Sequence, residues 1–331
     1  DNTLIGFQTG YYNTTGSYNT LIGYESNKGA TGDIISNVTS VGYQCLKTNK
    51  GDSNTAVGYQ AGYSNTTATG LTLIGYKAGY FNKTGNYNTL IGYESNYGVS
   101  GDSISNVTSI GYQCLKTNKG NSNTSVGYQA GLETTTGYNN VFLGYKSGME
   151  ITTGASNTIV GYESCGSVNA SNGSNITTMG YHSMNRNRGN NNISLGYQSG
   201  VTNLNGDSNI FIGSRSGYSN YGGSNNLYIG SRCGYTSSNA NYNTVIGRDS
   251  GYQIKNSSYN TYIGDVISNN TMSVADNYSQ YNTIIGNNIP NSNGLKNTFI
   301  GSHASYSADD ANSTKNVYIG YNAGYYNKGG S

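Results

Sequence analysis

Aliphatic residues recur along this chain at a fixed distance from a glycine. A segment of the form Asn-Thr-x-Ile-Gly-Tyr-x-Ser/Ala-Gly returns from one end to the other, usually every 17 residues, with steps from 15 to 22. A short, persistent period predicts a solenoid, in which each repeat forms one coil stacked on the next. The first glycine of each segment, called the marker glycine, is Gly6, Gly23, Gly42, Gly58, Gly75, Gly92, Gly111, Gly127, Gly144, Gly161, Gly180, Gly196, Gly213, Gly230, Gly247, Gly264, Gly286, Gly301 and Gly320.

A longer period lies over the short one. The first twelve steps read 17, 19, 16 and 17 residues three times over, which makes 69-residue blocks across about 6–213, whereas the coils over 214–331 are more divergent. We therefore expect a single all-β domain over 1–331, a parallel β-solenoid of about nineteen coils with two short strands per coil. Because the chain begins and ends inside a repeat, we also expect flanking domains beyond this stretch.

Alternation around the marker glycine predicts which residues face the core. The residue before it is aliphatic in all nineteen copies, as at Ile5, and the residue three before it is Thr or aliphatic, as at Thr20. The residue three after it is small in most copies, as at Ala61. These positions share parity along an extended strand, so we expect all three columns to point into the coil.

The residue two before the marker glycine has the opposite parity and is predicted to face outward, although it is apolar in most copies. An apolar stripe on a surface favours a partner, so we expect a homo-oligomer, with a parallel trimer as the simplest form. The alternative is a wider solenoid in which both strand faces are partly buried. The aromatic members of this column, our candidate interface residues, are Phe142, Phe211, Tyr228, Tyr262, Phe299 and Tyr318.

Asparagine stands four residues before the marker glycine in fifteen of the nineteen copies. Identical amides stacked on successive coils could hydrogen-bond as a ladder. Asparagine is also favoured where a turn needs unusual backbone angles. The sequence leaves both interpretations open.

Composition and charge exclude several classes of protein. Gly is 49 and Tyr is 34 of the 331 residues, and only 10% are charged, which disfavours helices. A formal net charge of +2 provides no basic stripe, so we expect no nucleic-acid partner. The chain contains no apolar run long enough to cross a bilayer, so we expect no membrane insertion.

Groups that could carry chemistry are scattered. The two histidines, His182 and His303, are 121 residues apart, and we expect no catalytic centre, no metal site, no cofactor and no enzyme activity. Cys45 and Cys114 are four coils apart, beyond the reach of a disulfide, and are expected to be buried free thiols. A polysaccharide depolymerase and an ice-binding protein are the less favoured alternatives, because no acid pair is visible and the threonine column is expected to face inward.

Tyrosine is the residue most open to a binding role. A tyrosine directly follows most marker glycines, and stacked rings could contact sugars or protein surfaces, or simply stabilise one another. The candidate ligand or interface tyrosines are Tyr24, Tyr59, Tyr76, Tyr93, Tyr128 and Tyr145. Sequons at Asn37, Asn106 and Asn175 recur every 69 residues and are candidate glycosylation sites, although duplication also explains their recurrence.

The unit Asn54-Thr55-Ala56-Val57-Gly58-Tyr59-Gln60-Ala61-Gly62 resembles two repeat families. One is the head of YadA-like trimeric autotransporter adhesins, with its Asn-Ser-x-Ala-Ile-Gly pattern. The other is the Asn-Thr-Ala-x-Gly-Tyr-x-Ala-Gly repeat of virus and phage tail-fibre-like proteins, to which residues 58–62 and 127–131 are closely similar. The period of YadA-like heads is shorter, and later copies in this chain lose the tyrosine, as at Ser214 and Arg248.

The resemblance implies a left-handed parallel β-roll with three chains to a head. It also implies an extracellular location, on a cell or virion surface, and a structural role as the shaft or head of a fibre that holds an adhesive or anchoring part away from that surface. The alternative is a cell-surface adhesin whose flank itself binds glycans, a matrix protein or another host surface.

Overall fold

The computed structural model describes residues 1–99, 101, 103–166, 173–267, 279–289, 294–305 and 314–326. Within these ranges every regular element is a β-strand, and most coils have about 17 residues. Inside each unit, the strands that precede successive marker glycines pair in parallel. This confirms the predicted all-β parallel solenoid. The chain forms two compact units, unit 1 (Asp1–Asn172) and unit 2 (Gly173–Ser331).

Unit 1 has one three-residue strand per coil, and each strand ends at the residue before a marker glycine. Neighbouring strands pair in register, so that Thr55 lies opposite Thr72 and Val57 opposite Ile74. The strands are β1 (Thr3–Ile5), β2 (Thr20–Ile22), β3 (Thr39–Val41), β4 (Thr55–Val57), β5 (Thr72–Ile74), β6 (Thr89–Ile91), β7 (Thr108–Ile110), β8 (Thr124–Val126), β9 (Val141–Leu143) and β10 (Thr158–Val160).

Unit 2 repeats this arrangement and adds a short second sheet. Its strands are β11 (Thr177–Met179), β12 (Arg186–Asn187), β13 (Ile193–Leu195), β14 (Thr202–Asn203), β15 (Ile210–Ile212), β16 (Leu227–Ile229), β17 (Thr244–Ile246), β18 (Thr261–Ile263), β19 (Thr283–Ile285), β20 (Thr298–Ile300) and β21 (Val317–Ile319). Among the described residues only β12 and β14 pair as a second sheet, and elsewhere isolated parallel bridges such as Thr202 to Ser219 hold that side. Two short strands were predicted in every coil, but among the described residues a second strand forms only at β12 and β14.

The strand faces are the reverse of those predicted. The middle residue of each strand, two before the marker glycine, is buried in nearly all coils, whereas its two neighbours are half-buried or exposed. Leu73 has no exposed surface, and Ile74 beside it is 38% exposed. The prediction that the apolar middle column forms an outer surface is wrong, since Phe142, Phe211, Tyr228, Tyr262 and Phe299 are core residues and Tyr318 is half-buried.

The marker glycine explains this reversal. Its φ lies between +126° and +154° in all nineteen copies, so it turns the chain and ends the strand. Parity therefore cannot be carried from the residues before the glycine to those after it. The column three after the glycine is nevertheless buried as expected, as at Ala61 and Ala130, and packs with the middle strand column to form the core.

The marker glycines also stack closely on one another. A Cβ built on Gly75 would overlap the carbonyl oxygen of Gly92 on the next coil, and a Cβ on Gly92 would overlap that of Gly111. No other residue type permits both this approach and this backbone angle. The stacked marker glycines therefore fix the position of the turn that follows each strand.

The four cysteines, Cys45, Cys114, Cys165 and Cys233, are buried free thiols, as predicted. Burial raises the pKa of Cys45 to about 11 and that of Cys165 to about 12. These thiols therefore remain protonated and act as small apolar residues.

Candidate functional site

The asparagines four before the marker glycine form a buried ladder, which we call the inner asparagine ladder. The backbone N–H and Nδ2 of Asn243 both donate to Oδ1 of Asn226, at 3.0 and 3.1 Å, and Nδ2 also donates to the carbonyl of Ser257 at 2.8 Å. Asn260 repeats the same two bonds to Oδ1 of Asn243. The turn interpretation required a left-handed backbone angle at the asparagine itself. The residue with positive φ is instead the preceding one, Tyr242, so the structure supports the ladder.

A second buried ladder was not predicted from the sequence. Nδ2 of Asn203 donates to Oδ1 of Asn187 at 2.7 Å, Asn220 donates to Asn203 at 2.7 Å, and the Ser237 hydroxyl donates to Asn220 at 3.2 Å. These residues stand seven after the marker glycine. The signal that could have revealed them is the recurrent Asn three residues after the second glycine of the repeat, as at Asn65.

Ten aromatic rings of unit 1 stack in one column, which we call the tyrosine ladder. Adjacent ring centroids are 4.9–5.3 Å apart and the planes differ by 5–14°. The ladder comprises Phe7, Tyr24, Tyr43, Tyr59, Tyr76, Tyr93, Tyr112, Tyr128, Tyr145 and Tyr162, and so contains all six candidate tyrosines of the sequence analysis. At the equivalent position in unit 2, Tyr181 stacks on Tyr197, and Ser214 stands in place of the next ring.

The geometry of the tyrosine ladder limits what it can bind. Each interior ring has both faces covered by its neighbours, while the side chain remains exposed at its edge, as at Tyr76. A sugar ring that stacks on an aromatic side chain needs an open face. The ladder therefore offers a row of ring edges and hydroxyl groups, and its stacking stabilises successive coils.

A polar column lies two residues after the marker glycine, beside the tyrosine ladder. Nε2 of Gln44 donates to Glu25 at 2.8 Å, and Nε2 of Gln60 donates to Gln44 at 2.9 Å. Glu25 also accepts from Lys28 at 2.8 Å and Lys47 at 2.9 Å. The hydrogen bond from Lys28, and then those from Lys47 and Gln44, lower the pKa of Glu25 to about 2.

The same cluster recurs one 69-residue block later. Gln113 and Lys116 both donate to Glu94 at 2.8 Å. The two carboxylates are four coils apart, about 19 Å at 4.8 Å per coil, and each is paired with its own cations. Paired glycosidase carboxylates lie much closer together, so this pair does not form such a site.

The three candidate glycosylation sites lie on the surface. Asn37, Asn106 and Asn175 are exposed and have φ values of 60°, 59° and 58°. By contrast, the sequon asparagines Asn65 and Asn123 are buried in hydrogen-bonded ladders. Glycosylation of the three exposed sites stays a prediction.

The outward residues of β1–β10 form another surface of unit 1, which we call the Thr/aliphatic face. It consists of the first and third residue of each strand. Val57 and Leu143 are 37% and 46% exposed on it. The complete set is Thr3, Ile5, Thr20, Ile22, Thr39, Val41, Thr55, Val57, Thr72, Ile74, Thr89, Ile91, Thr108, Ile110, Thr124, Val126, Val141, Leu143, Thr158 and Val160.

The described residues contain no group of three or more His, Cys, Asp or Glu that could hold a metal ion. His182 and His303 both lie in the polar column of unit 2, where His182 stacks on Tyr181. In the part of the chain that the structure describes, no helix is long and apolar enough to cross a membrane. Neither a protein-family model nor a curated protein sequence matches this chain.

Proposed function

We propose that this chain is a structural segment of an extracellular fibre, on a cell or virion surface, that holds an adhesive or anchoring part away from that surface. The observation that carries the proposal is the repetition of the same contacts at successive coils, above all the inner asparagine ladder. A structure of this kind gains length with each added repeat without creating a new kind of site. Duplication of 69-residue blocks is how such a segment would lengthen.

The homo-oligomer expected from the sequence rested on a column that is buried within the chain. A parallel trimer, with a left-handed coil, therefore remains a proposal that only the family resemblance supports.

Removing one 69-residue block tests the proposed role as a spacer. Deletion of residues 24–92 joins Gly23 to Tyr93 and restores the local sequence Ile-Gly-Tyr-Glu-Ser-Asn at the junction. We expect a folded protein in which the distance between spin labels at Thr20 and Thr108, both in unit 1, falls by about 19 Å, because four coils are lost between them. A control that deletes 24–83 breaks the repeat register and should unfold the neighbouring coils. An unfolded 24–92 deletion, or one in which the distance between the two labels is unchanged, would contradict the proposal.

The alternative, an adhesin that binds glycans through its flank, places the tyrosine ladder in a different role. The covered ring faces disfavour it, and a glycan array probed with the purified chain separates the two functions. If the segment acts only as a spacer, we expect it to bind no glycan. Binding that is lost on Tyr76→Ser, the residue type found in the same column at Ser214, would favour the adhesin.

A further inference from the structure

The Thr/aliphatic face of unit 1 is chemically uniform. Nineteen of its twenty side chains are Thr, Ile or Val, and the exception is Leu143. None of the twenty is charged. Side chains branched at Cβ are restricted at χ1, so their methyl and hydroxyl groups are held in fixed positions before any ligand arrives.

This face is also periodic in two directions. The ten strands pair in register, so equivalent side chains repeat at about 4.8 Å from strand to strand, and the first and third residues of a strand are about 6.6 Å apart. Threonine occupies the first position in nine of the ten strands, beside an aliphatic third position. The repeat from strand to strand is close to the shorter spacing of the oxygen atoms on the prism face of hexagonal ice, and the repeat along a strand is somewhat shorter than the longer spacing of that face.

The layer behind the face keeps it rigid. The middle residue of each strand is buried, as at Leu73 and Leu90, and the inner asparagine ladder binds the start of the strands. A surface that is ordered in advance loses little conformational entropy when it binds a rigid partner. An uncharged array with fixed hydroxyl and methyl groups suits an uncharged, ordered water lattice better than it suits a charged ligand.

We propose that the Thr/aliphatic face of unit 1 binds the surface of ice crystals. The methyl groups of Thr, Val and Ile hold water in an ordered layer, and the threonine hydroxyls hydrogen-bond to that layer and fix it to the protein. The proposal does not depend on the fibre role. The sequence disfavoured ice binding only because it placed the threonine column inside the coil, and the structure places that column outside.

The equivalent face of unit 2 is less regular. Its first strand positions are threonine in five of the nine strands that precede a marker glycine, and β13, β15 and β16 in succession carry Ile193, Ile210 and Leu227 there. The threonine rows are thus interrupted. We expect ice binding to depend on unit 1.

Thermal hysteresis of the full chain, the gap between the melting and freezing points of a seeded ice crystal, tests the proposal. Thr55→Tyr places a bulky ring on the exposed array, and Thr67→Tyr makes the same change at an exposed threonine between β4 and β5 that is not part of the face. We expect hysteresis and faceted crystals with the unchanged chain and with T67Y, and loss of both with T55Y. Thr89→Tyr on β6 is an independent variant should T55Y fail to fold, as judged by circular dichroism.

Three results would overturn the proposal. One is the absence of hysteresis and of crystal faceting with the unchanged, folded chain. Another is unchanged hysteresis in folded T55Y or T89Y, which would place the activity on a different surface. The third is an oligomer, seen by sedimentation, that T55Y dissociates and that shows no ice activity, because this face would then be an interface between copies.

Discussion

Leu73 and Ile74 are adjacent in β5 and point in opposite directions, so truncating each in turn tests which face is the core. Leu73 has no exposed surface and its methyl groups lie against Gly62 and Gly79, whereas Ile74 is 38% exposed. Leu73→Ala removes three buried carbon groups, about 2.4 kcal/mol of transfer free energy, and leaves a cavity that brings the expected loss to about 3–5 kcal/mol. Ile74→Ala removes three groups that are about 60% covered and leaves no cavity, so we expect a loss of about 1.5 kcal/mol.

Hydrogen exchange read by mass spectrometry is the suitable assay, because a repeat protein can open locally without unfolding as a whole. The opening free energy of peptides covering residues 63–92 should fall at least twice as far in Leu73→Ala as in Ile74→Ala, and peptides several coils away should change little in either. If Ile74→Ala had the larger effect, the aliphatic third column would be the core, and the assignment of the middle column to the core would be refuted.

Four further predictions concern other parts of the structure. Asn243→Leu should lower the opening free energy of its coil by about 2–5 kcal/mol in hydrogen exchange, because it leaves buried donors and acceptors of the inner asparagine ladder unpaired. Gly75→Ala should disrupt its coil, as judged by loss of exchange protection, and Gly32→Ala should reduce that protection much less. Both glycines have positive φ, but only a Cβ at Gly75 would meet the backbone of the next coil. The pKa of Glu25 is lowered from 4.5 to about 2, so its ion pairs stabilise the fold above pH 4.5 and are lost as the pH falls towards 2. Melting temperatures of Glu25→Gln, measured across this pH range, should therefore lack this part of the acid dependence. The raised pKa and burial of Cys45 predict that it resists alkylation in the folded chain and reacts once the chain is unfolded in urea.

The coil architecture could be predicted from the sequence because its signals are local and repeated. A marker glycine in all nineteen copies defined the length of a coil, and the aliphatic residue before it located the strand. The prediction of parallel, stacked coils required only these two columns. It failed for the second strand, because the residues after the second glycine vary in type and number from coil to coil and form a strand, among the described residues, only at β12 and β14.

The faces could not be predicted in the same way because a single backbone angle decides them. Parity is informative only along an extended chain, and the turn at each marker glycine breaks it. Leu73 and Ile74 are both aliphatic, so hydrophobicity alone did not distinguish the inner residue from the outer one. The column that best signals the core is the middle one, where the aromatic residues Phe142 and Tyr228 fit only with small residues such as Gly131 and Gly234 beside them.

The position of one group of candidate binding residues could be predicted from the sequence, and that of the other could not. The six tyrosines of the sequence analysis do form one exposed column, since they directly follow the marker glycine in a turn that every coil repeats. The stacking that covers both faces of each interior ring could not be predicted from the sequence, because it depends on the side-chain orientation. The aromatic residues of the middle column were assigned to a surface only through the parity error.

The distance between spin labels on equivalent positions tests the central claim, that 17-residue repeats stack in register as parallel coils. Labels can be attached at Thr55 with either Thr89 or Thr124, which are exposed or half-buried and lie two and four strands apart. Coils stacked in register predict mean backbone separations of about 10 and 19 Å, in proportion to the number of coils between the labels. Separations that did not grow with the number of coils would contradict it.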